Sequence, residues 1–164
     1  MKKLYGGVGK NVISFFLILA LVMQTLLTSP ENVSADSLVI EIEGYQINTV
    51  RGAFRTVYSV DSSVEVSELG LIYGIDGKTT DAEMFVGSDN PTVYSFSATS
   101  KGYMGTSKGK DVYVMTMDYK EGTRFITTSL LIKPYIKYAD GRYAYGTTEK
   151  TSVYDIADEL YKNS

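Results

Sequence analysis

Between Leu38 and Tyr145 this chain is written in short runs whose apolar and polar side chains alternate. A period of two is the signature of half-buried β-strands, because successive side chains point to opposite faces. Val39 leads into Ile40 and Ile42 set against Glu41 and Glu43, and Gly44 ends that run. Ala53 to Val60 places Phe54, Tyr58 and Val60 on one side, with Arg55 and Ser59 on the other. Val66 to Ile75 sets Leu69, Leu71 and Tyr73 against Glu68, Gly70 and Ile72, and Asp76-Gly77 closes it in a tight turn. Thr92 to Ala98 and Asp111 to Tyr119 alternate in the same way. Arg124 to Ile132 and Tyr135 to Ala139 read as two strands parted by Lys133-Pro134, since proline cannot donate to a ladder.

Turn chemistry supports that division. Asp140-Gly141 stands between Tyr135-Ile136-Lys137-Tyr138 and Tyr143-Ala144-Tyr145, which predicts a hairpin closed by a type I′ turn. Asp61-Ser62-Ser63 and Glu121-Gly122 mark further turns. Ser100 to Lys110, rich in Gly, Ser and Lys, reads as a mobile loop. Thr79 to Phe85 admits one helical turn capped by Thr80 or Asp81. The period then changes: Val153, Ile156, Ala157 and Leu160 recur at helical spacing, behind Ser152 as N-cap with Asp155 in the capping-box position. This predicts a short amphipathic helix over Val153 to Tyr161, packed on the sheet edge or bottom. About seven short strands plus that helix make the chain mainly β. The expected architecture is a β-sandwich of immunoglobulin or fibronectin type III character.

The N-terminus obeys a different logic. Lys2, Lys3 and Lys10 precede a 16-residue apolar run, Val12 to Leu27, and a polar stretch ends in Val33-Ser34-Ala35. Charge, apolar stretch and small-residue cleavage site in that order predict a secretory signal peptide over residues 1–35. The alternative, a retained anchor, needs roughly 20 apolar residues. The long flanks of the apolar run are Gram-positive in style. Removing 35 of the 164 residues leaves 129, one β-sandwich domain over 36–164. The expected location is extracellular, with or without association to the cell wall, and with no membrane contact once the leader is cut. That shortened chain has 13 basic and 18 acidic residues, a charge of −5. Nucleic acid is not an expected partner, because it rewards clustered Lys and Arg. The domain is read as a monomer.

The sequence has no His and no Cys. Triads built on histidine, thiol catalysis and Cys- or His-ligated zinc are therefore excluded. No cofactor is expected. Gly6-Gly7-Val8-Gly9-Lys10 has neither the spacing nor the Ser or Thr of a phosphate loop, and it reads as the charged start of the leader.

Three segments carry a resemblance. They are Glu43-Gly44-Tyr45-Gln46-Ile47, Glu68-Leu69-Gly70-Leu71-Ile72-Tyr73-Gly74, and Tyr135 through Gly146, with the tail Ser152 to Asp158. Together they resemble a fibronectin-type-III-like module of secreted and surface proteins of Gram-positive anaerobes, over nearly all of residues 38–162. Such modules accompany extracellular hydrolases or adhesins, whereas this one is expected to stand alone. The resemblance implies a fold and a compartment, and no catalytic residue.

Two groups remain as candidates. Asp76, Asp81 and Glu83, with Asp89-Asn90 beyond, offer hard oxygen ligands of the kind Ca²⁺ takes, but the EF-hand spacing is missing and solvated turn carboxylates are the preferred reading. No metal site is assigned. Tyrosine, present 14 times, joins an apolar body to a polar tip and suits interfaces and sugar stacking. Tyr103 and Met104 lie between glycines, and Tyr143 and Tyr145 follow the hairpin, so these four are the expected binding residues. The expectation is a non-enzymatic module recognising an extracellular protein or glycan. The alternative is an accessory polysaccharide-binding protein working beside secreted hydrolases.

Overall fold

The computed structural model describes residues 39–48, 52–98, 102–118 and 126–162, all within one compact unit. Among them lie nine strands: β1 (Ile40–Asn48), β2 (Ala53–Asp61), β3 (Val66–Ile75), β4 (Val93–Ser97), β5 (Tyr103–Ser107), β6 (Lys110–Asp118), β7 (Leu130–Tyr138), β8 (Tyr143–Tyr145) and β9 (Glu149–Thr151). A helix, α1 (Val153–Lys162), follows. The leader expected over 1–35, the turn at Glu121-Gly122 and Tyr119 fall outside the described residues.

The strands form two antiparallel sheets, ordered β1-β2-β6-β5 and β4-β3-β7-β8, with β9 also paired to β7. Lettered along the chain, this is A-B-E-D against C′-C-F-G, the order of an immunoglobulin-type sandwich with one added strand. The protein is therefore mainly β, with two facing sheets and one C-terminal helix.

Alternation builds the core. Phe54, Tyr58 and Val60 from β2 meet Leu69, Leu71 and Tyr73 from β3 and Leu130, Ile132 and Ile136 from β7, all buried. Each such side chain contributes about 1.5–3 kcal/mol on leaving water. Ser152 caps α1 as expected: its Oγ accepts the Asp155 N–H at 3.0 Å and donates to the Asp155 carboxylate at 2.6 Å. Val153 and Ile156 enter the core, but Ala157 and Leu160 are exposed, so the helix buries only half of its apolar stripe.

Three expectations about the strands change. Gly44 does not end β1; it forms a bulge at φ 148°, and pairing with β2 continues to Asn48. A bulge inserts one residue without ending the strand. Pro134 does not divide β7 either. It lies opposite Leu71 on one side, and on the other it faces the junction between β9, paired to Leu130–Ile132, and β8, paired to Tyr135–Lys137. Its carbonyl accepts the Gly146 N–H at 2.9 Å, while proline has no N–H to return that bond, and the regular pairing is interrupted at this point between β8 and β9. The strand expected from Arg124 begins instead at Leu130.

Both hairpin turns differ from expectation. At Asp140-Gly141 only the glycine has positive φ, 90°. Tyr138 and Arg142 pair across a three-residue loop, with the Gly141 N–H bonded to the Tyr138 carbonyl, which is a type I turn followed by a left-handed glycine. The turn with two positive φ values lies at Lys108 (51°) and Gly109 (79°). It joins β5 to β6, so the described part of the expected loop, from Gly102, is largely a strand and a type I′ hairpin.

The outer face of β3 is apolar as well. Ile72 is fully buried there, beneath Met84 and Tyr135. The chain from 76 to 92 folds back to cover it, through the single helical turn at Asp81–Glu83 expected from the sequence. The Glu83 carboxylate accepts the Thr80 N–H at 2.7 Å and holds that turn.

Candidate functional site

The two sheets leave openings where β4 of one approaches β5 and β6 of the other. Tyr103 stands at one of them. Its ring lies 5.3 Å from that of Tyr113, tilted by 53°, and Tyr113 in turn stacks on the buried Tyr58 at 5.9 Å. Tyr103 thus extends the inward row of aromatic side chains past the last place where the opposite sheet covers it, and 44% of it stays exposed. Its hydroxyl lies 2.9 Å from Thr106 Oγ1 and donates to Asp111 Oδ1 at 3.4 Å; Thr106 donates to the same oxygen at 2.5 Å. The ring is therefore fixed by neighbours on its own hairpin, in place of the mobile loop expected. Met104, beside it on β5, is 67% exposed.

Below Tyr103 opens a cleft of about 430 Å³, lined among others by Ser67, Glu68, Leu69, Asp111 and Tyr113. Glu68 is held from the second sheet. Its Oε1 accepts the Ser97 hydroxyl at 2.6 Å and the Tyr135 hydroxyl at 2.8 Å. These bonds, the Ser97 hydroxyl foremost, hold the Glu68 carboxyl below its ordinary value. Tyr135 moves the other way, pushed up to about 12, mainly by burial. A second opening of about 340 Å³, lined by Tyr73, Phe96, Met115 and Met117, lies between β4 and β6 and is apolar. Phe96, in its lining, and Tyr94, two residues earlier on β4, are both exposed.

Tyr143 and Tyr145 lie elsewhere. They project from β8 on the outer face of the second sheet, on the side opposite Ala144, which enters the core. Their rings are within 16° of parallel at 6.2 Å, and Tyr135 lies 6.1 Å from Tyr143. The Lys137 ammonium is 5.4 Å from the Tyr143 ring centre and that of Lys133 is 5.8 Å from Tyr145. The Tyr145 hydroxyl accepts the Val86 N–H at 3.3 Å. These half-buried rings pin the 76–92 segment to the sheet. The four residues expected to bind together are thus divided between the two sheets: Tyr103 and Met104 on β5 of one, Tyr143 and Tyr145 on β8 of the other.

The candidate Ca²⁺ ligands are also apart. Asp76 pairs with Lys150 at 2.7 Å. Asp81 pairs with Lys133 at 2.9 Å and accepts the Thr148 hydroxyl. Among the described residues no three acidic side chains gather around one point.

Sequence reasoning missed Glu68 and Asp111 as site residues. Each was visible only as a polar residue of an alternating strand. Their common cleft follows from sheet pairing, which periodicity does not report. No family model, curated protein or solved structure matches the chain.

Proposed function

We propose that this protein is a secreted, non-catalytic binding module that takes part of an extracellular protein or glycan into the cleft beside Tyr103. The observation that carries the reading is the pair of rings, Tyr103 and Tyr113, 5.3 Å apart over a cleft of about 430 Å³. Aromatic rings and a few fixed polar groups in a concave site are what small-group recognition uses. The leader-like residues 1–35 support export, and the fibronectin-type-III-like resemblance supports a role in binding over catalysis. The absence of His and Cys from the sequence removes the commonest general base and nucleophile.

The test is retention of the full chain on cell walls, insoluble polysaccharides and extracellular protein extracts, beside Tyr103→Ala. Retention lost in the variant supports the cleft; retention on no matrix sinks the reading. Export is tested separately by sequencing the N-terminus of the protein recovered from culture medium, with Asp36 expected first.

A second reading, an accessory polysaccharide-binding protein, rests on the row Tyr135, Tyr143 and Tyr145 along one sheet face. Retention on polysaccharide abolished by Tyr143→Ala and untouched by Tyr103→Ala favours it.

A further inference from the structure

We infer that this protein pairs with a second copy of itself through β4, edge to edge and antiparallel, about a two-fold axis at Ser95. The inference goes beyond the cleft beside Tyr103 and does not rest on it. β4 is the outer strand of its sheet, and among the described residues it is bonded to β3 alone. The ladder shows which of its backbone groups are free. The Ala98 N–H donates to the Leu69 carbonyl at 2.7 Å, one step beyond the pair of Gly70 and Ser97. In an antiparallel ladder bonded and non-bonded pairs alternate. Phe96 and Tyr94 therefore also turn their backbone groups to β3, whereas Val93, Ser95 and Ser97 turn theirs to the open edge. The Val93 N–H is taken by the Asn90 carbonyl at 3.0 Å. Among the described residues nothing bonds to the backbone of Ser95 or Ser97 on that side.

An open edge is ordinarily blunted by charge, by a bulge or by brevity. β1 carries Glu41, Glu43 and the Gly44 bulge. β5 is bulged between Tyr103 and Gly105. β8 and β9 have three residues each. β4 has none of these devices: its register is regular over five residues, and no charged residue occurs from Asn90 to Ser100. A second copy is the occupant because β4 complements itself. With Ser95 opposite its own counterpart, the two serines exchange both backbone bonds, and each Ser97 N–H meets the Val93 carbonyl of the other copy. Tyr94 then stands opposite Phe96 in a non-bonded pair, where side chains approach most closely. Both rings are exposed on the side of the sheet that carries Tyr73 and Leu71, and Phe96 lines the apolar opening of about 340 Å³. Pairing gives each ring an aromatic neighbour. The net charge of −3 sets copies against one another in general, and β4 is where they meet without charge. The contact is the same on both copies, so it closes at two.

A contact of this length lies in the range of small, transient interfaces, below about 1,200 Å², so the dimer is expected to dissociate with a Kd of about 10–300 µM. The experiment is sedimentation equilibrium of the full chain across that range, beside Ser95→Lys and Ser95→Glu. Ser95 is exposed, and its side chain takes no part in the bonds to β3, so both variants are expected to fold, which circular dichroism checks. Each substitution sets like charges face to face across the axis and is expected to weaken pairing about tenfold or more. An equimolar mixture of the two variants sets opposite charges there and is expected to restore the dimer. That restoration is a result that misfolding of either variant does not produce. A parent chain that stays monomeric throughout the range overturns the inference. So does an assembly that both substitutions leave unchanged, or a mixture that pairs no better than either variant alone. Retention on matrices that depends on Tyr103 is unaffected by any of these outcomes, so the cleft and the dimer stand or fall separately.

Discussion

The ring of Tyr135 lies against the backbone of Gly70, its partner across the β3–β7 ladder. A Cβ built on Gly70 would stand 2.9 Å from the ring and 2.0 Å from the Phe96 carbonyl oxygen. The bare glycine lets the aromatic side chain lie flat on the sheet, where its hydroxyl reaches Glu68 at 2.8 Å. The position that looks weakest in strand β3 is thus the one that brings Tyr135 to Glu68.

Gly70→Ala is expected to destabilise the protein. The obstructing atom is backbone oxygen, which cannot swing away as a side chain can. Overpacking of this kind costs about 1–3 kcal/mol. The measurement is the urea midpoint, with Ser95→Ala, exposed on β4, as the control that changes little. An unchanged midpoint in Gly70→Ala would refute the close approach.

Lys108→Asn is expected to stabilise the β5–β6 hairpin. Lys108 holds φ 51° ahead of Gly109 at 79°, and Asn tolerates that region better than Lys. Asn-Gly is the preferred pair for such a turn, so a gain of about 0.5 kcal/mol is expected. It is read as a rise in melting temperature, and a fall would show that the turn is not of this type.

Stability is expected to depend on Glu68 at acid pH. Its folded pKa is lowered, first by the Ser97 hydroxyl, then by that of Tyr135. The sign follows: this contribution is full above the ordinary carboxylate value of 4.5 and is lost as pH falls through the lowered folded value. Glu68→Gln removes the titration, so the parent chain loses stability relative to the variant as pH falls from neutral to acid. Parallel pH profiles for the two proteins would exclude the effect.

At alkaline pH the buried tyrosines are expected to ionise late. Burial pushes Tyr73 and Tyr135 up to about 12, and Tyr45 and Tyr58 are raised as well. Neutral phenol is favoured in the fold, so the contribution is full below the ordinary value of 10 and declines as pH rises toward the folded one. Absorbance at about 295 nm should show a late step in tyrosine ionisation, above the ordinary value of 10 and coincident with unfolding. A single smooth titration near the ordinary value would contradict the burial.

Period, cap and turn composition are local properties, and by themselves they determined much of this protein. Alternation assigned Leu69, Leu71 and Tyr73 to the core side of β3. Ser152 and Asp155 located the start of α1, and Thr80 located the small helical turn. Tyr103 was legible as an aromatic in need of a role. Tertiary structure decided what depends on partners distant in the chain. Gly44 became a bulge because β2 continues beside it, and Pro134 stayed inside β7 because pairing on one side is interrupted there between two short strands. Ile72, on the side of β3 opposite Leu71, is dry because Met84 folds back over it. Above all, sheet pairing alone brought Glu68 of one sheet and Asp111 of the other to the same cleft, and set Tyr143 and Tyr145 on a different sheet from Tyr103. A sequence reports which way a side chain leaves its own strand. Which strand stands opposite is settled by the packing free energy of the whole sandwich, and no window of neighbouring residues contains it.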